Sequence, residues 1–344
     1  MQQFKLILGT PLSAVPRPWL SLAIPGVMVS AYEIFRRRDR GELRGRGLRR
    51  LLGLDDGVEL WIDSGGYQFL KKNVDPGVDR IARLYREIDA DYYISLDYPP
   101  SPRDEPGLRA AKIARTIRMY LKLRSMLRGI AEEGRLVPVF HLATGPSLRL
   151  QLECYSSTAV TAAVGGLVPY FMQLAGRYSR LKAVIFLSMM RRLWRGHLHA
   201  LGLASAAVIP LLKALRINSS DTQTWRHKAA FGKIIIPGLG ERHVSGREVR
   251  FGPAKLRENE IPLFMEYVSK VSPSLGIRVE ELSKSFEARA VFNAWSLLQV
   301  ASNGNTYWGT SPAFANLYKA VESLLEEPLE KLEQRLEEML AQGR

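Results

Sequence analysis

Three aspartates in this 344-residue chain close or follow apolar runs in a way that could place them at strand ends. In Trp61-Ile62-Asp63-Ser64-Gly65-Gly66-Tyr67-Gln68 an apolar strand ends in a carboxylate and a hydroxyl, and two glycines let backbone amides approach a ligand closely. The other reading is a tight turn with Asp63 capping the next helix. Tyr92 to Pro100 repeats the pattern: a strand closes on Asp97 and is stopped by two prolines. Asp97 alone also reads as a cap or loop hydrogen-bonder, but its recurrence at the same structural place as Asp63 favours a functional role. The third aspartate, Asp221, ends the polar cluster Ile217-Asn218-Ser219-Ser220 and is otherwise an ordinary turn or cap residue.

Between these lie His141, an imidazole after the apolar run Pro138 to Phe140, and Val164-Gly165-Gly166-Leu167, a second place where backbone can approach a ligand. A lone histidine such as His141 is commonly a satisfied core residue. His197 and His199 are two residues apart, so on a strand they share a face; that would suit a metal, but no third ligand is evident nearby.

Elements able to position these groups recur along the chain as short β-rich runs: Phe4 to Leu8, Val58 to Ile62, Tyr92 to Leu96, Val137 to His141, Val160 to Val164, His197 to Leu201 and Lys233 to Ile236. Most are followed by helical patterns. The alternation implies an α/β fold with a parallel sheet, and the number of units fits a TIM-like (β/α)₈ barrel over residues 1–255, with a doubly wound sheet as the alternative. From about Arg257 the pattern is helical, which predicts a helical C-terminal extension over 256–344, with Pro328 kinking or dividing its last stretch. In a barrel, groups at the C-terminal strand ends form the site, and Asp63 and Asp97 fall there.

Composition narrows the partners. The chain carries 49 Lys and Arg against 34 Asp and Glu, a formal charge of +15, which favours a polyanion. Arg36, Arg37, Arg38, Arg40, Arg44, Arg46, Arg49 and Arg50 crowd one segment and read either as a solvated helix face or as a contact for phosphates. Cys154 is the single cysteine, so intramolecular disulfides and multi-cysteine zinc or iron–sulfur sites are excluded, and a reducing, cytoplasmic setting fits. The N-terminus does not read as a signal peptide. The uncharged stretch from Ser156 to Gly176 is long enough to suggest a membrane span, but Gly165, Gly166 and Pro169 favour a buried strand running into a loop.

Taken in order, these segments resemble the tRNA-guanine transglycosylase family, over about residues 55 to 250. Asp63 to Gln68 is similar to that family's Asp-Ser-Gly-Gly-aromatic-Gln signature, Ser95 to Asp97 to its second base-binding strand end, Val164 to Leu167 to its Gly-Gly-Leu loop, His199 to Gly202 to the following strand, and Ile217 to Asp221 to the segment ending in the nucleophile. The resemblance implies Asp221 as nucleophile and Asp63 as general acid/base. Ser64, Gly65, Gly66, Asp97, His141, Gly165, Gly166 and Gly202 would form the base pocket, with Tyr67 stacking on one face of the base and Leu201 on the other. It also implies a free deazaguanine-type base as second substrate, a target nucleoside turned out of its stack, no cofactor and no membrane; a homodimer is compatible with it. Arg36, Arg37, Arg38, Arg191, Arg192 and Arg195 are expected to grip the phosphates.

Departures qualify the implied substrate. The family's zinc site cannot be built from one cysteine, so no metal is expected; His141 stands where a glutamine usually reads the base; and Val168-Pro169 replaces a stretch that ordinarily carries a glutamate. After Asp221, Thr222 to Trp225 and the basic Arg226-His227-Lys228 are closer to relatives that place deazaguanines into DNA. Exchange on tRNA leads, exchange on DNA is its rival, and a non-catalytic nucleic-acid-binding subunit is a third reading. A barrel enzyme acting on a phosphorylated metabolite is a fourth, resting on Gly238-Leu239-Gly240 alone.

Overall fold

Runs of Val, Ile and Leu bounded by Gly, Pro and polar residues form strands buried on both faces, as a parallel sheet covered by helices requires. The structure, a computed structural model, describes residues 3–37, 40–174, 176, 179–236, 239–245, 255–302 and 312–342. Its strands are β1 (Lys5–Gly9), β2 (Gly26–Ser30), β3 (Glu59–Asp63), β4 (Tyr92–Ile94), β5 (Leu136–Val137), β6 (Val139–His141), β7 (Thr161–Gly165), β8 (His197–Ala200) and β9 (Ser219–Thr222). They run parallel in the order β5-β4-β3-β2-β1-β9-β8-β7-β6.

The two ends of that order, β5 and β6, are separated only by Pro138, so the chain itself joins them into an eight-staved TIM-like barrel. Proline cannot donate to the ladder, which splits the fifth stave, but its carbonyl still accepts the Ala163 amide at 2.8 Å while the Val137 carbonyl accepts that of Ser95 at 2.8 Å. Inside the barrel Ile7, Met28, Trp61, Ile94, Val137, Val139 and Ala163 pack together, and a larger apolar cluster fills the space between strands and helices. The stretch beginning at Ser156 contains β7 and the short helix Val168–Phe171, and among the described residues no helix is long and apolar enough to cross a membrane.

One strand expectation is corrected. Lys233 to Ile236 does form a strand, β10, but it pairs antiparallel with β11 (Gly240–His243) outside the barrel, and the stave it would have supplied comes from β2. Both faces of β10 are buried, on helix Phe286–Ser302 and on a separate apolar cluster with Phe264, Val268 and Leu282, so its composition matches that of a barrel strand.

Among the described residues, helices at the C-terminal end clasp the barrel. Helices Pro312–Glu326 and Leu329–Ala341 are divided at Pro328, bury Leu332 and Leu336 fully, and tie to the barrel through the Ser188 hydroxyl, which donates to the Leu324 carbonyl at 3.0 Å. Asn293 is the central polar link. Its side-chain oxygen accepts the Ile235 amide at 2.7 Å, and its amide donates to the carbonyls of Trp225 and Lys233 at 3.2 and 3.0 Å, all fully buried from solvent. Asn293→Ala would strand a buried N–H and reduce the pairing of two carbonyls, so the expected loss is about 2–4 kcal/mol of unfolding free energy, read by chemical denaturation.

Candidate active site

β2, β3, β4, β6, β7 and β9 deliver their last residues to the C-terminal mouth of the barrel, and Asp63, Asp97, His141, Gly165, Gly166 and Asp221 meet there. Asp63, the last residue of β3, has one carboxylate oxygen accepting the Gly65 amide at 3.1 Å, and the Ser30 hydroxyl from the end of β2 also bonds it. The residue is half-buried at the mouth. Burial, followed by the nearby charges of Asp97 and Asp221, pushes its carboxyl up to about 7, against the smaller opposing effect of those two hydrogen bonds.

Asp97 is buried one residue pair beyond β4. Its Oδ1 accepts the Ser64 hydroxyl at 3.3 Å, and that hydroxyl accepts the Gly66 amide at 3.2 Å. Gly66 therefore lies against Asp97: a Cβ built on it would come within 2.3 Å of the Asp97 carboxylate and 2.5 Å of its carbonyl. Gly66→Ala must push the two strand ends apart, so we expect a loss of about 1–3 kcal/mol of stability. Thermal unfolding checks it.

His141 is fully buried at the end of β6, where the Gln151 side chain accepts its amide at 2.8 Å and donates to its carbonyl at 3.2 Å. Its Nδ1 lies 3.3 Å from the Gly165 carbonyl, which can only accept, so Nδ1 carries the proton. Its Nε2 is 3.3 Å from Asp97 Oδ2 but is not aligned as a hydrogen bond. Nε2 and the Ser95 hydroxyl are thus buried polar atoms without a hydrogen-bond partner among the described residues, the condition that a ligand's polar edge relieves. Gly165 keeps this wall thin, since a Cβ there would meet Val139 at 2.9 Å and Leu201 at 3.3 Å.

Asp221 extends from β9 with Oδ1 held twice, by the Gly202 amide at 2.6 Å and by His199 Nε2 at 3.2 Å. Below it, His199 Nδ1 meets the Ser219 hydroxyl at 2.8 Å, the same hydroxyl meets His197 Nε2 at 2.7 Å, and the Trp61 ring stacks on His199 with centroids 4.7 Å apart. Both imidazoles are committed to these partners, and among the described residues no group of three or more His, Cys, Asp or Glu is placed to hold a metal ion. Burial, then His199 and the cations Lys5 and Arg191, lower His197 to about 4.

The remaining predicted residues divide. Leu201 lies beside Gly165 and Gly202 is exposed at the mouth, while Tyr67 is 64% exposed at the start of helix Gly66–Lys71. Arg36 and Arg37 follow helix Ala31–Phe35, which springs from the mouth end of β2, with Arg36 exposed and 5.8 Å over the Tyr32 ring; Arg38 lies outside the described residues. Arg191, Arg192 and Arg195 are not brought to the site. Arg191 donates to Asn218 at 2.7 Å and to the carbonyls of Trp194 and Gly196, just before β8 and β9, and so closes the opposite end of the barrel. Arg192 bonds the Glu327 carbonyl, and Arg195 is exposed in the loop that enters β8 from that same end. Much of the later arginine run is also internally paired, Arg46 with Asp56, Arg49 with Asp91 and Arg44 with Glu87.

Sequence reading missed Ser30, Ser219 and the place of Trp61. The signal for Ser219 was present: it shares the two-residue period of Asp221 as His197 shares that of His199, which sets four polar groups on inward faces of two strands that prove adjacent.

Fold and site together define a (β/α)₈-barrel protein with three aspartates clustered at its C-terminal mouth. No family model matches the chain. The chain is 26% identical over 219 residues to the uncharacterized protein 306 of Sulfolobus islandicus rod-shaped virus 1, a match that covers 62% of this chain and 63% of that protein, so it spans somewhat under two thirds of the relative's length.

Proposed function

We propose that the protein exchanges a guanine in a polynucleotide for a free 7-deazaguanine-type base. In the first step Asp221 Oδ2 attacks C1′ of the target nucleoside, the C1′–N9 bond breaks, and protonated Asp63 gives its proton to the departing guanine. In the second, Asp63 takes a proton from the incoming base, whose ring nitrogen attacks C1′ and releases the Asp221 carboxylate. Two inversions give net retention.

The observation that supports this most is the gathering of Asp63, Asp97 and Asp221 at the mouth, where burial and the nearby carboxylates push the Asp63 carboxyl up to about 7 and Asp221 Oδ1 is tied down. A group poised there can serve as acid and then as base at neutral pH, while the second carboxylate stays a nucleophile. Asp97, His141 and the Gly166 amide would read the polar edge of the base, and Leu201 would flank its ring. Arg36, Arg37 and the exposed Arg103 of the loop after β4 stand on the mouth side, where phosphates flanking an extruded nucleoside would pass.

Exchange on tRNA is the leading form. Exchange on DNA is favoured by one observation: after Asp221 the chain turns at once into helix Thr224–Ala230, held by buried Trp225, whose Nε1 donates to the Gly9 carbonyl at 3.1 Å, in place of a basic loop. The test is incubation with labelled guanine and each polymer, followed by mass spectrometry of the nucleosides. Label in tRNA supports the first form and label in DNA alone the second. Label in neither, with the protein folded and bound to the polymer, overturns the reading in favour of a non-catalytic nucleic-acid-binding subunit.

A further inference from the structure

Beneath Asp221 the barrel holds a row of polar groups whose protons have one arrangement that leaves both imidazoles neutral. An ionised Asp221 only accepts, so His199 Nε2, 3.2 Å from Oδ1, carries a hydrogen. A neutral His199 then has a bare Nδ1, which must take the Ser219 hydroxyl hydrogen across 2.8 Å. The Ser219 oxygen in turn is free to accept from His197 Nε2 at 2.7 Å. Each donor has one acceptor, and both imidazoles are uncharged.

We propose that His199 is the positioning residue of the nucleophile, held by Ser219 and His197 as the neutral Nε2–H tautomer so that Asp221 keeps Oδ1 fixed and presents Oδ2 to the sugar carbon. The inference rests on the reading of Asp221 as nucleophile. It also assigns a task in both steps: once Oδ2 is esterified to C1′, Oδ1 is the ester carbonyl oxygen, and the amide of Gly202 with the N–H of His199 form a two-donor cradle for the charge that returns to it when the bond to C1′ breaks.

The surroundings hold the ring in place. Trp61 from β3 stacks on His199, which is fully buried, and the charged or titratable groups about the row are Asp221 and, near it, Asp63 at the mouth, with Lys5, Glu59 and Arg191 at the other end around His197. Burial, then His199, Lys5 and Arg191, disfavour a charge on His197 at the far end of the row.

Two measurements test this. In the wild-type protein labelled with ¹⁵N-histidine, His199 should report the Nε2–H tautomer near about pH 7 and remain neutral there. An imidazolium, or a ring protonated on Nδ1 alone, overturns the proposal whether or not base exchange is ever detected. In kinetics, His199→Phe keeps the ring stack on Trp61 but removes the donor, so kcat should fall about 100-fold with KM for the base little changed, and His199→Gln, which can return an N–H toward Oδ1, should recover most of that loss. Equal turnover in His199→Phe and wild type, or no recovery in a folded His199→Gln, contradicts the positioning role. If wild type shows no exchange but the tautomer is as stated, the fault lies in the proposed reaction and not in the row.

Discussion

Asp221→Asn is expected to lower single-turnover base exchange on the order of 10⁴-fold or more while leaving the fold in place. The expectation follows from how β9 presents the residue. Its Oδ1 accepts from the Gly202 amide and from His199, and an asparagine carbonyl oxygen can accept the same two hydrogen bonds, so the barrel mouth loses little. The other oxygen, however, becomes an NH₂ group with no pair to offer a sugar carbon. Thermal unfolding should therefore change little, and a variant that turns over at the wild-type rate would remove Asp221 from the reaction.

Asp63→Asn carries the second large effect, in rate and in stability. In the proposed role of acid and then base, Asp63 must be protonated in one step and ionised in the next, so wild-type exchange should peak near its value of about 7 and decline on both sides. Asparagine can do neither, and the expected loss is about 10²–10⁴-fold with the dependence on pH flattened across that range. The stability effect has the opposite sign. A carboxyl raised from 3.8 to about 7 holds a proton in the folded protein that the unfolded chain has already released. Its contribution is fully present below pH 3.8 and is lost as pH rises through 7, a change of at most ~4 kcal/mol. The neutral Asp63→Asn variant avoids that loss. It should be more stable than wild type at alkaline pH, with the difference shrinking toward acid; denaturant titrations across pH read it, and a constant difference would mean Asp63 titrates as an ordinary surface carboxylate.

How far the sequence reaches can be judged from particular residues. The parallel barrel was legible because β1, β3, β4, β7 and β8 are short β-rich runs separated by helical patterns. β9 was legible only as the strand end at Asp221, since Ser219 and Ser220 hide a strand whose inner face is polar. β10 misled because a run of three isoleucines buried on both faces looks the same in a hairpin as in a stave. At the site, the family resemblance in the order of the motifs implied that Asp63, Asp97, His141, the Gly165-Gly166 turn and Asp221 belong together, and each sits where a strand ends and a barrel gathers those ends. Relations between staves were not legible. The His199 contact with Asp221 joins two strands 22 positions apart, and the Ser30 bond to Asp63 needs β2, which the reading left out. Charge counting was the weakest guide. Arg191 looks like a phosphate ligand in composition, yet three short-range acceptors at the closed end of the barrel claim its guanidinium.

The central claim is a covalent bond between Asp221 and the ribose or deoxyribose of a polymer. The most direct measurement is to incubate wild-type protein with tRNA or DNA without an incoming base, quench in denaturant, digest, and sequence the nucleotide-bearing peptide by mass spectrometry. A denaturant-resistant adduct is expected on the peptide containing Asp221, formed with release of guanine and absent in Asp221→Asn. An adduct that maps to another residue, or that survives the substitution, would contradict it.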